Sequence, residues 1–515
     1  MKDVDTTLLI DRLAHGWTSS HAGLAYEFIQ RWAAPLCQEA DVIEIGENTA
    51  EFVTVLTDIR LRTMHQVPCL LVGGEADASK ALQEFWTRFN STHHIPFILT
   101  LSATAHDSAV KMLRSGRCLI LSPNQIDKML RSQFPLVELK QLLLRQVPRR
   151  ALIPYNLLVP AEGGMFFGRQ NELSRLRDED FTSFAIAGPG RIGKTSLARY
   201  YQTERLRSRH PSSSRSFFIS LYDADHLPDR IARFIAMKIQ SSRRSDRMLV
   251  KDLLNFLLYQ NKHCGGPLQL ILDEVDEDCE GEAFKVLGEA ARSHFCRLIL
   301  CGRGNLLKMM LSSKSPLDCR LDLIQLEPLD TSSARDLLIK PIEDLGFKIE
   351  KPEGVTEEVL KLTGQMPHLV QLFGKKLVDH AISDKTETIS TEQVELLKTD
   401  FYIAQFFLKS LNELANAEAK LVALALLSER QQSFSVPEIQ AIAGQEGLHL
   451  DAASTNNICL ELLVNNVLAW DNGSYRIANA GLPFYARKKD YLKNSLEEAR
   501  EARRSKPKEL LASVR

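Results

Sequence analysis

Short apolar runs alternate with helical stretches along the first part of the chain. Four runs have the length and composition of single strands: 42–45, 69–72, 97–101 and 118–121. Stretches with apolar residues at helical spacing lie around them: 52–64, 79–89, 108–113 and 136–144. Strands that alternate with helices at this spacing form parallel sheets covered by helices. Residues 1–152 are therefore predicted to form an N-terminal, Rossmann-like α/β domain.

A second α/β segment follows a linker at 153–165, which proline and paired glycines mark as irregular. Four further apolar runs predict buried strands within 166–325: 184–187, 216–221, 268–272 and 297–301. From residue 326 to 405 the spacing becomes helical, with apolar periodicity at 333–339, 355–362, 367–380 and 391–397. The sequence thus predicts a second α/β domain followed by a helical one.

The segment 406–488 predicts three helices and a β-hairpin, the order of elements in a winged helix. The helices fall at 417–428, 436–443 and 452–464, and the strands at 467–470 and 475–478. The turn between the strands is Asp471-Asn472-Gly473-Ser474, which is typical of a tight hairpin. Residues 489–515 predict an exposed, charged helical tail.

Composition is that of a globular protein of about three or four domains, with 44% hydrophobic residues and a net charge of −1. That charge argues against a general polyanion binder. No apolar run reaches the length of a membrane span and no secretory leader is recognised, so a cytoplasmic protein without a membrane partner is predicted. The nine cysteines form no C-x-x-C pair, and Cys69, Cys118, Cys296 and Cys301 are predicted to be buried thiols.

One motif carries specific chemistry. The residues from 188 to 195 fit the pattern G-x-x-x-x-G-K-[ST], between a predicted strand and a predicted helix: Gly188, Pro189, Gly190, Arg191, Ile192, Gly193, Lys194 and Thr195, with Ser196 next. Glycines let backbone N–H groups point at phosphate oxygens, and the helix directs its positive end at the same anion. Lys194 is placed to contact the β- and γ-phosphates, and Thr195 to ligate Mg²⁺. This motif, here called the phosphate loop, predicts nucleotide binding.

A second signal is the apolar run that ends in Asp273 and Glu274. A buried strand that delivers two carboxylates at its end can serve a nucleotide site. Asp273 would hold the Mg²⁺ shell and Glu274 would polarise the attacking water. Together with the phosphate loop, this pair predicts an ATPase that takes ATP or ADP with Mg²⁺.

Further segments resemble the STAND-type ATPases, a branch close to the AAA+ proteins. The segment from Met165 to Leu173 resembles their F-x-G-R-x-x-E-L motif, which implies that Gly168 and Arg169 line the adenine pocket. The resemblance implies that Arg303, at a strand end, reads the γ-phosphate; Arg191 is the alternative local charge. It also implies a helical lid over 326–405 whose Pro367 packs near the adenine, although Gln365 replaces the family's second glycine. The resemblance covers about 165–487.

The charge of the winged-helix segment argues against direct DNA reading. No lysine or arginine lies between Arg430 and Arg476, whereas five acidic residues do: Glu438, Glu446, Asp451, Glu461 and Asp471. A recognition helix must approach phosphates that each carry a negative charge. This segment would repel DNA.

These observations favour an ATP-binding and hydrolysing switch of STAND type in signalling or defence. It would form an ATP-dependent homo-oligomer and contact an unidentified protein partner through its N-terminal domain. One alternative is a DNA-associated AAA+-like ATPase of the origin-recognition or transposition-regulator type, supported by basic residues within 205–251. Another is an ATPase-triggered effector enzyme whose active site lies in the N-terminal domain. Asp41, Glu44 and Glu47 cluster near the first predicted strand there, as in a nuclease or metal site, but no further residues complete such a pattern.

Overall fold

The computed structural model describes residues 10, 12–15, 22–36, 40–54, 56, 60–61, 67–74, 78–89, 95–113, 117–179, 182–207, 215–222, 227–240, 247–263, 268–276, 281–310, 317, 321–414, 416–487 and 491–512, with the backbone alone at 78, 207 and 502–512. Two compact units are distinguished. The first contains Met1–Phe167, Asp336–Val355 and Gln371–Gln393, and the second Gly168–Arg335, Thr356–Val370 and Val394–Arg515. Within the described ranges, no helix combines the length and apolar content needed to cross a membrane.

The N-terminal sheet has five strands in the order β1-β2-β3-β4-β5. They are β1 Ala40–Ile45, β2 Thr49–Thr54, β3 Val67–Val72, β4 Phe97–Thr100 and β5 Leu119–Leu121. Its helices are α1 Ala22–Ala33, α2 Ala78–Phe89, α3 Ala103–Met112, α4 Pro123–Arg131, α5 Pro135–Gln146 and α6 Arg149–Leu152. The α/β class predicted for this segment is confirmed.

Two details of this sheet differ from the sequence prediction. The helix predicted from residue 52 is wrong at its start, because residues 52–54 lie in β2, where alternate side chains are buried; residues 55, 57–59 and 62–66 are outside the described ranges. The sheet is also mixed rather than parallel. Strand β2 pairs antiparallel with β1 and β3, while β3, β4 and β5 are parallel. The period-two burial of β2 is typical of a strand covered on one face.

The second sheet is entirely parallel, in the order β10-β6-β9-β8-β7. Its strands are β6 Phe184–Ala187, β7 Ser216–Ser220, β8 Leu268–Asp273, β9 Cys296–Gly302 and β10 Asp322–Gln325. The helices are α7 Gln170–Asp178, α8 Lys194–Arg207, α9 Pro228–Ile239, α10 Val250–His263, α11 Glu282–Arg292 and α12 Gly304–Met310. Strands β6, β8 and β9 are buried along their whole length, as expected for a sheet covered on both faces.

The four strands predicted in this segment are confirmed. Cys69, Cys118, Cys296 and Cys301 are buried and belong to no disulfide, as predicted. The basic stretch within 205–251 is described only in part, since 208–214, 223–226 and 241–246 lie outside the described ranges.

Helices dominate the next segment. They are α13 Thr331–Asp344, α14 Pro352–Thr363, α15 Pro367–Ser383, α16 Thr391–Leu397 and α17 Phe401–Asn412, with a two-stranded parallel pair β11 Lys348–Ile349 and β12 Thr388–Ile389. The four helices predicted between 333 and 397 are confirmed. The short strand pair carried no recognisable sequence signal.

The C-terminal segment is a winged helix. It contains helices α18 Ala417–Ser428, α19 Val436–Gln445 and α20 Ala452–Val464, and a three-stranded antiparallel sheet of β13 Ser433–Phe434, β14 Leu468–Asp471 and β15 Ser474–Ile477. Strand β13 lies between α18 and α19 in the chain, and helices α21 Gly481–Ala486 and α22 Tyr491–Ala512 follow β15. Asn472 and Gly473 have φ values of 45° and 92°. Positive φ at both central residues allows the two-residue turn that the sequence predicts.

Within the first unit, the N-terminal domain and the linker after it contact the C-terminal half of helix α13. The Asp344 carboxylate pairs with Lys140 at 2.5 Å and with Arg60 at 3.3 Å. The buried Tyr155 hydroxyl donates to the Leu338 carbonyl at 2.6 Å. Buried hydrogen bonds of this kind resist local opening. The N-terminal domain and residues 336–344 are therefore expected to open together.

We predict that Tyr155→Phe lowers the local opening free energy of helix α13 by about 1 kcal/mol, because one buried hydrogen bond is lost while the ring packing stays. Native-state hydrogen exchange of the amides of residues 336–344 measures this. Tyr259→Phe on the exposed face of α10 is the matched control. Equal exchange in Tyr155→Phe and the parent protein would show that the hydroxyl contact does not hold the helix.

Candidate functional site

The phosphate loop connects the end of β6 to the first residue of α8, Lys194. Arg191 and Gly193 have φ values of +64° and +104°, so the backbone curls through the left-handed region. A Cβ at Gly188 would lie 2.9 Å from the Leu326 carbonyl oxygen, which excludes any larger residue there. The loop is thus a tight curl that ends at a helix N-terminus, the arrangement that binds anions.

Lys194 is almost fully buried, with 7% of its surface exposed. Its Nζ donates to the carbonyl oxygens of Gly188 at 3.0 Å and Pro189 at 2.9 Å. Burial lowers the pKa of Lys194, and the positive charge of Arg303 lowers it further. The ammonium group is therefore held inside the curl of the loop, where phosphate oxygens could replace the two carbonyl partners.

Asp273 lies at the end of β8 and contacts the phosphate loop directly. The Thr195 hydroxyl donates to Asp273 Oδ2 at 2.8 Å. Burial raises the pKa of Asp273, which has 4% of its surface exposed. A hydroxyl and a carboxylate side by side are oxygen ligands that suit Mg²⁺, which is commonly held by one or two carboxylates together with phosphate oxygens and water. The two residues predicted as metal ligands are thus brought together.

Glu274 follows in a left-handed conformation, with φ of +58°. Its N–H donates to Asp273 Oδ1 at 3.1 Å, and its carboxylate lies 4.0 Å from an Arg303 guanidinium nitrogen. That guanidinium also lies beside the loop, since a Cβ at Gly190 would be 3.6 Å from it. Both side chains are partly exposed at the mouth of the loop, where they can reach a phosphate or a water molecule.

Asp276 is the residue that sequence reasoning missed. Its carboxylate accepts hydrogen bonds from the backbone N–H groups of Arg303, Asn305 at 3.0 Å and Leu306 at 3.4 Å. It therefore caps helix α12 and fixes the backbone of Arg303 at the end of β9. The sequence contains an acidic residue at the right place after β8, but its partners are 27 to 30 positions away and leave no local signal.

Arg169 anchors the phosphate loop from another side. It donates to the carbonyl oxygens of Ile192 at 3.2 Å and Glu327 at 2.6 Å, and to Glu172 at 3.1 Å. Burial lowers its pKa, although the paired Glu172 acts in the opposite direction. The neighbouring Gly168 has φ of +71°, and a Cβ there would lie 2.9 Å from the Ser333 hydroxyl. This pair fixes the loop against the start of α13.

Pro367 is the first residue of helix α15. The turn before it contains Gln365 with φ of +62°, in the position where the resemblance implies glycine. The Gln365 carbonyl accepts from the Leu329 N–H at 3.2 Å. A Cβ at Gly364 would lie 2.4 Å from the Ala478 carbonyl oxygen, so this turn is packed against the winged helix.

Arg191 contacts helices that follow the second sheet rather than the loop itself. Its Nη1 lies 3.1 Å from His368 Nε2, and its guanidinium stacks 5.3 Å above the Phe406 ring. Ile192 is fully buried, and Ser196 is buried in the first turn of α8. Of the predicted residues, Lys194, Thr195, Asp273, Glu274 and Arg303 therefore form one cluster, and Arg169 supports it.

No protein-family model matches this chain, and no curated protein matches it. Solved structures do. A Walker-type ATPase of Pyrococcus abyssi is 15% identical with a TM-score of 0.48, and covers 66% of this chain and 99% of its own. The ORC2 protein of Aeropyrum pernix is 13% identical with a TM-score of 0.49, and the match covers 68% of this chain and 98% of that protein. The RuvB branch migration motor of Thermotoga maritima is 18% identical with a TM-score of 0.35, and the match covers 62% of this chain and 96% of that protein.

Proposed function

We propose that this protein binds and hydrolyses ATP with Mg²⁺ at the phosphate loop. The observation that carries the proposal is the contact between Thr195, which follows the buried Lys194, and Asp273, which lies 78 positions away in the chain. A curled loop, a helix N-terminus, a lysine and a hydroxyl–carboxylate pair together supply what a nucleoside triphosphate and its cation require.

Each residue has a distinct task in the proposed reaction. The loop N–H groups and the N-terminus of α8 hold the phosphates, and Lys194 exchanges its two carbonyl partners for phosphate oxygens. Thr195 and Asp273 would hold Mg²⁺, which would supply positive charge beside the phosphates. Glu274 orients the attacking water, and Arg303 contacts the terminal phosphate. Gly168, Arg169 and Pro367 are proposed to border the base.

We expect Lys194→Ala to weaken ATP binding by about 100-fold or more, because charge-assisted contacts to two phosphates are lost. Any ATP-dependent oligomer should disappear with it. Isothermal titration calorimetry with ATP and Mg²⁺ measures the affinity, and circular dichroism checks that the variant folds. Lys262→Ala, on the exposed face of α10, is the control. Unchanged affinity in Lys194→Ala would contradict the proposed site.

We expect Glu274→Gln to bind ATP as the parent protein does but to hydrolyse it more slowly by a factor of about 100 or more, because a positioned general base is lost. The measurement is phosphate release in single turnover, together with the nucleotide retained after gel filtration. Glu282→Gln, an exposed residue in the first turn of α11, serves as the control. Turnover at the parent rate would remove Glu274 from the mechanism.

We further propose that the bound nucleotide controls the arrangement of the modules, as in a STAND-type signalling or defence switch that self-assembles with ATP. Helix α13 supports this role because it contributes to both units. Ser333 at its start lies against Gly168, and Leu338 further along accepts a hydrogen bond from Tyr155 of the linker that follows the N-terminal domain. In this proposal the N-terminal domain binds the protein partner, and hydrolysis resets the switch.

A DNA-associated ATPase of origin-recognition type is the second candidate. It is favoured by the basic face of helix α9, where Arg230 and Lys238 are exposed. The similar structures include an ORC1 protein of Aeropyrum pernix in complex with DNA, although its identity of 16% and TM-score of 0.36 bear on neither function. Helix α20 of the winged helix has no lysine or arginine, which opposes this candidate.

An enzyme active site in the N-terminal domain stays a prediction. Nuclease and NAD-cleavage assays on the full chain test it.

A salt titration of duplex DNA binding, followed by fluorescence anisotropy, separates the two candidates. If the chain is DNA-associated, its affinity should fall about 1,000-fold between about 50 and 200 mM salt, and Arg230→Gln should reduce the slope of log K against log salt by about 1. Glu282→Gln should leave the slope unchanged. No binding at about 50 mM salt excludes this candidate and favours the signalling switch.

A further inference from the structure

A polar cavity of about 120 Å³ opens beside the phosphate loop within the second unit. Its walls come from the loop, the end of β9, the start of α15, helix α17 and the winged helix. Arg191 and Arg303 reach it from the loop side, Lys409 and Glu413 from α17, and Asn466 and Asn479 from the winged helix. The cavity therefore joins the proposed nucleotide site to two modules that contribute none of its predicted phosphate-binding residues.

The cavity has an excess of positive charge. Three cationic side chains line it, whereas Glu413 supplies the one carboxylate among the described lining residues. That carboxylate, on the residue that follows the last residue of α17, lies 3.3 Å from Lys409. His368 adds no charge at neutral pH, because burial and the nearby Arg191 and Lys409 lower its pKa to about 3. An anion in the cavity would meet cations from two directions.

The size and the polar groups of the cavity select the kind of anion. A volume of about 120 Å³ is well below the roughly 300–1,000 Å³ of pockets that hold drug-sized ligands. A space of this size fits one phosphoryl group. Asn466 and Asn479 are largely buried and carry amide groups that can donate to phosphoryl oxygens. Asn479 Oδ1 already accepts from the Leu482 N–H at 2.8 Å, which fixes its orientation.

We propose that this cavity binds a phosphoryl anion and that Lys409 determines its selectivity. The anion is either the terminal phosphate of a triphosphate held by the loop or inorganic phosphate. The first source rests on the proposed nucleotide binding, and the second does not. Because Gly190 and Arg191 of the loop and the neighbouring Arg303 line the cavity, a terminal phosphate held by the loop would lie beside it. Helix α17 and the winged helix then sense whether a triphosphate or a diphosphate is bound.

The test compares Lys409→Gln and Glu413→Gln with the parent protein by isothermal titration calorimetry. The probes are the non-hydrolysable triphosphate AMP-PNP, ADP and inorganic phosphate, each with Mg²⁺. We expect Lys409→Gln to weaken AMP-PNP binding about tenfold and ADP binding less than twofold, because one charge-assisted contact is lost. Glu413→Gln should tighten AMP-PNP binding severalfold, since it removes the opposing charge. Lys262→Gln, on the exposed face of α10, should change neither.

The outcomes separate the two phosphate sources and the two proposals. Discrimination by Lys409 between AMP-PNP and ADP supports the terminal phosphate as the anion. Binding of inorganic phosphate that Lys409→Gln weakens supports the free ion, even if the parent protein binds no nucleotide and the proposed function fails. Equal effects of Lys409→Gln on AMP-PNP and ADP, without an effect on inorganic phosphate, overturn the selectivity role. Parent-like binding of all three probes by both variants overturns the cavity as an anion site.

Discussion

The hydrogen bond from the Thr195 hydroxyl to Asp273 joins the two parts of the candidate site, and the rest of the structure makes it possible. Strands β6 and β8 both pair with β9 in a parallel sheet, so their carboxyl ends lie at one edge of the sheet. The buried strands leave little freedom for the residues that follow them. Residues that are distant in sequence therefore meet because parallel pairing sets their register.

Burial gives this site its electrostatic character. It raises the pKa of Asp273 and lowers that of Lys194, so each charged form is held at a cost that ligands of opposite charge would offset. A divalent cation beside the carboxylate and a phosphate beside the ammonium group would both relieve that cost. Two further contacts hold the backbone around the loop: Arg169 donates to the Ile192 carbonyl, and Asp276 accepts from the N–H of Arg303. Side chains and backbone held in this way would need little rearrangement to bind the proposed phosphate and its cation.

The phosphate loop contacts segments that lie outside the second sheet. The turn that contains Gly364 packs against the winged helix, and Arg191 contacts His368 and Phe406. A ligand that displaces Arg191 must change its contacts with His368 and Phe406. Because packed contacts have few alternative arrangements, such a displacement favours a discrete change of conformation rather than a gradual one.

The sequence by itself determined the phosphate loop, the carboxylate pair after β8, four of the five strands of the second sheet, and the three helices and hairpin of the winged helix, because each has a local pattern of spacing or periodicity. The apolar run before Arg303 also predicted that this arginine lies at a strand end. Only the tertiary structure decided that β2 is an antiparallel strand rather than a helix, since its short alternating pattern is decided by pairing with β1 and β3. The capping role of Asp276 and the shared cavity of Arg191, Arg303 and Lys409 also depend on contacts between distant segments. Such contacts exist only once the chain has packed, so no local pattern encodes them.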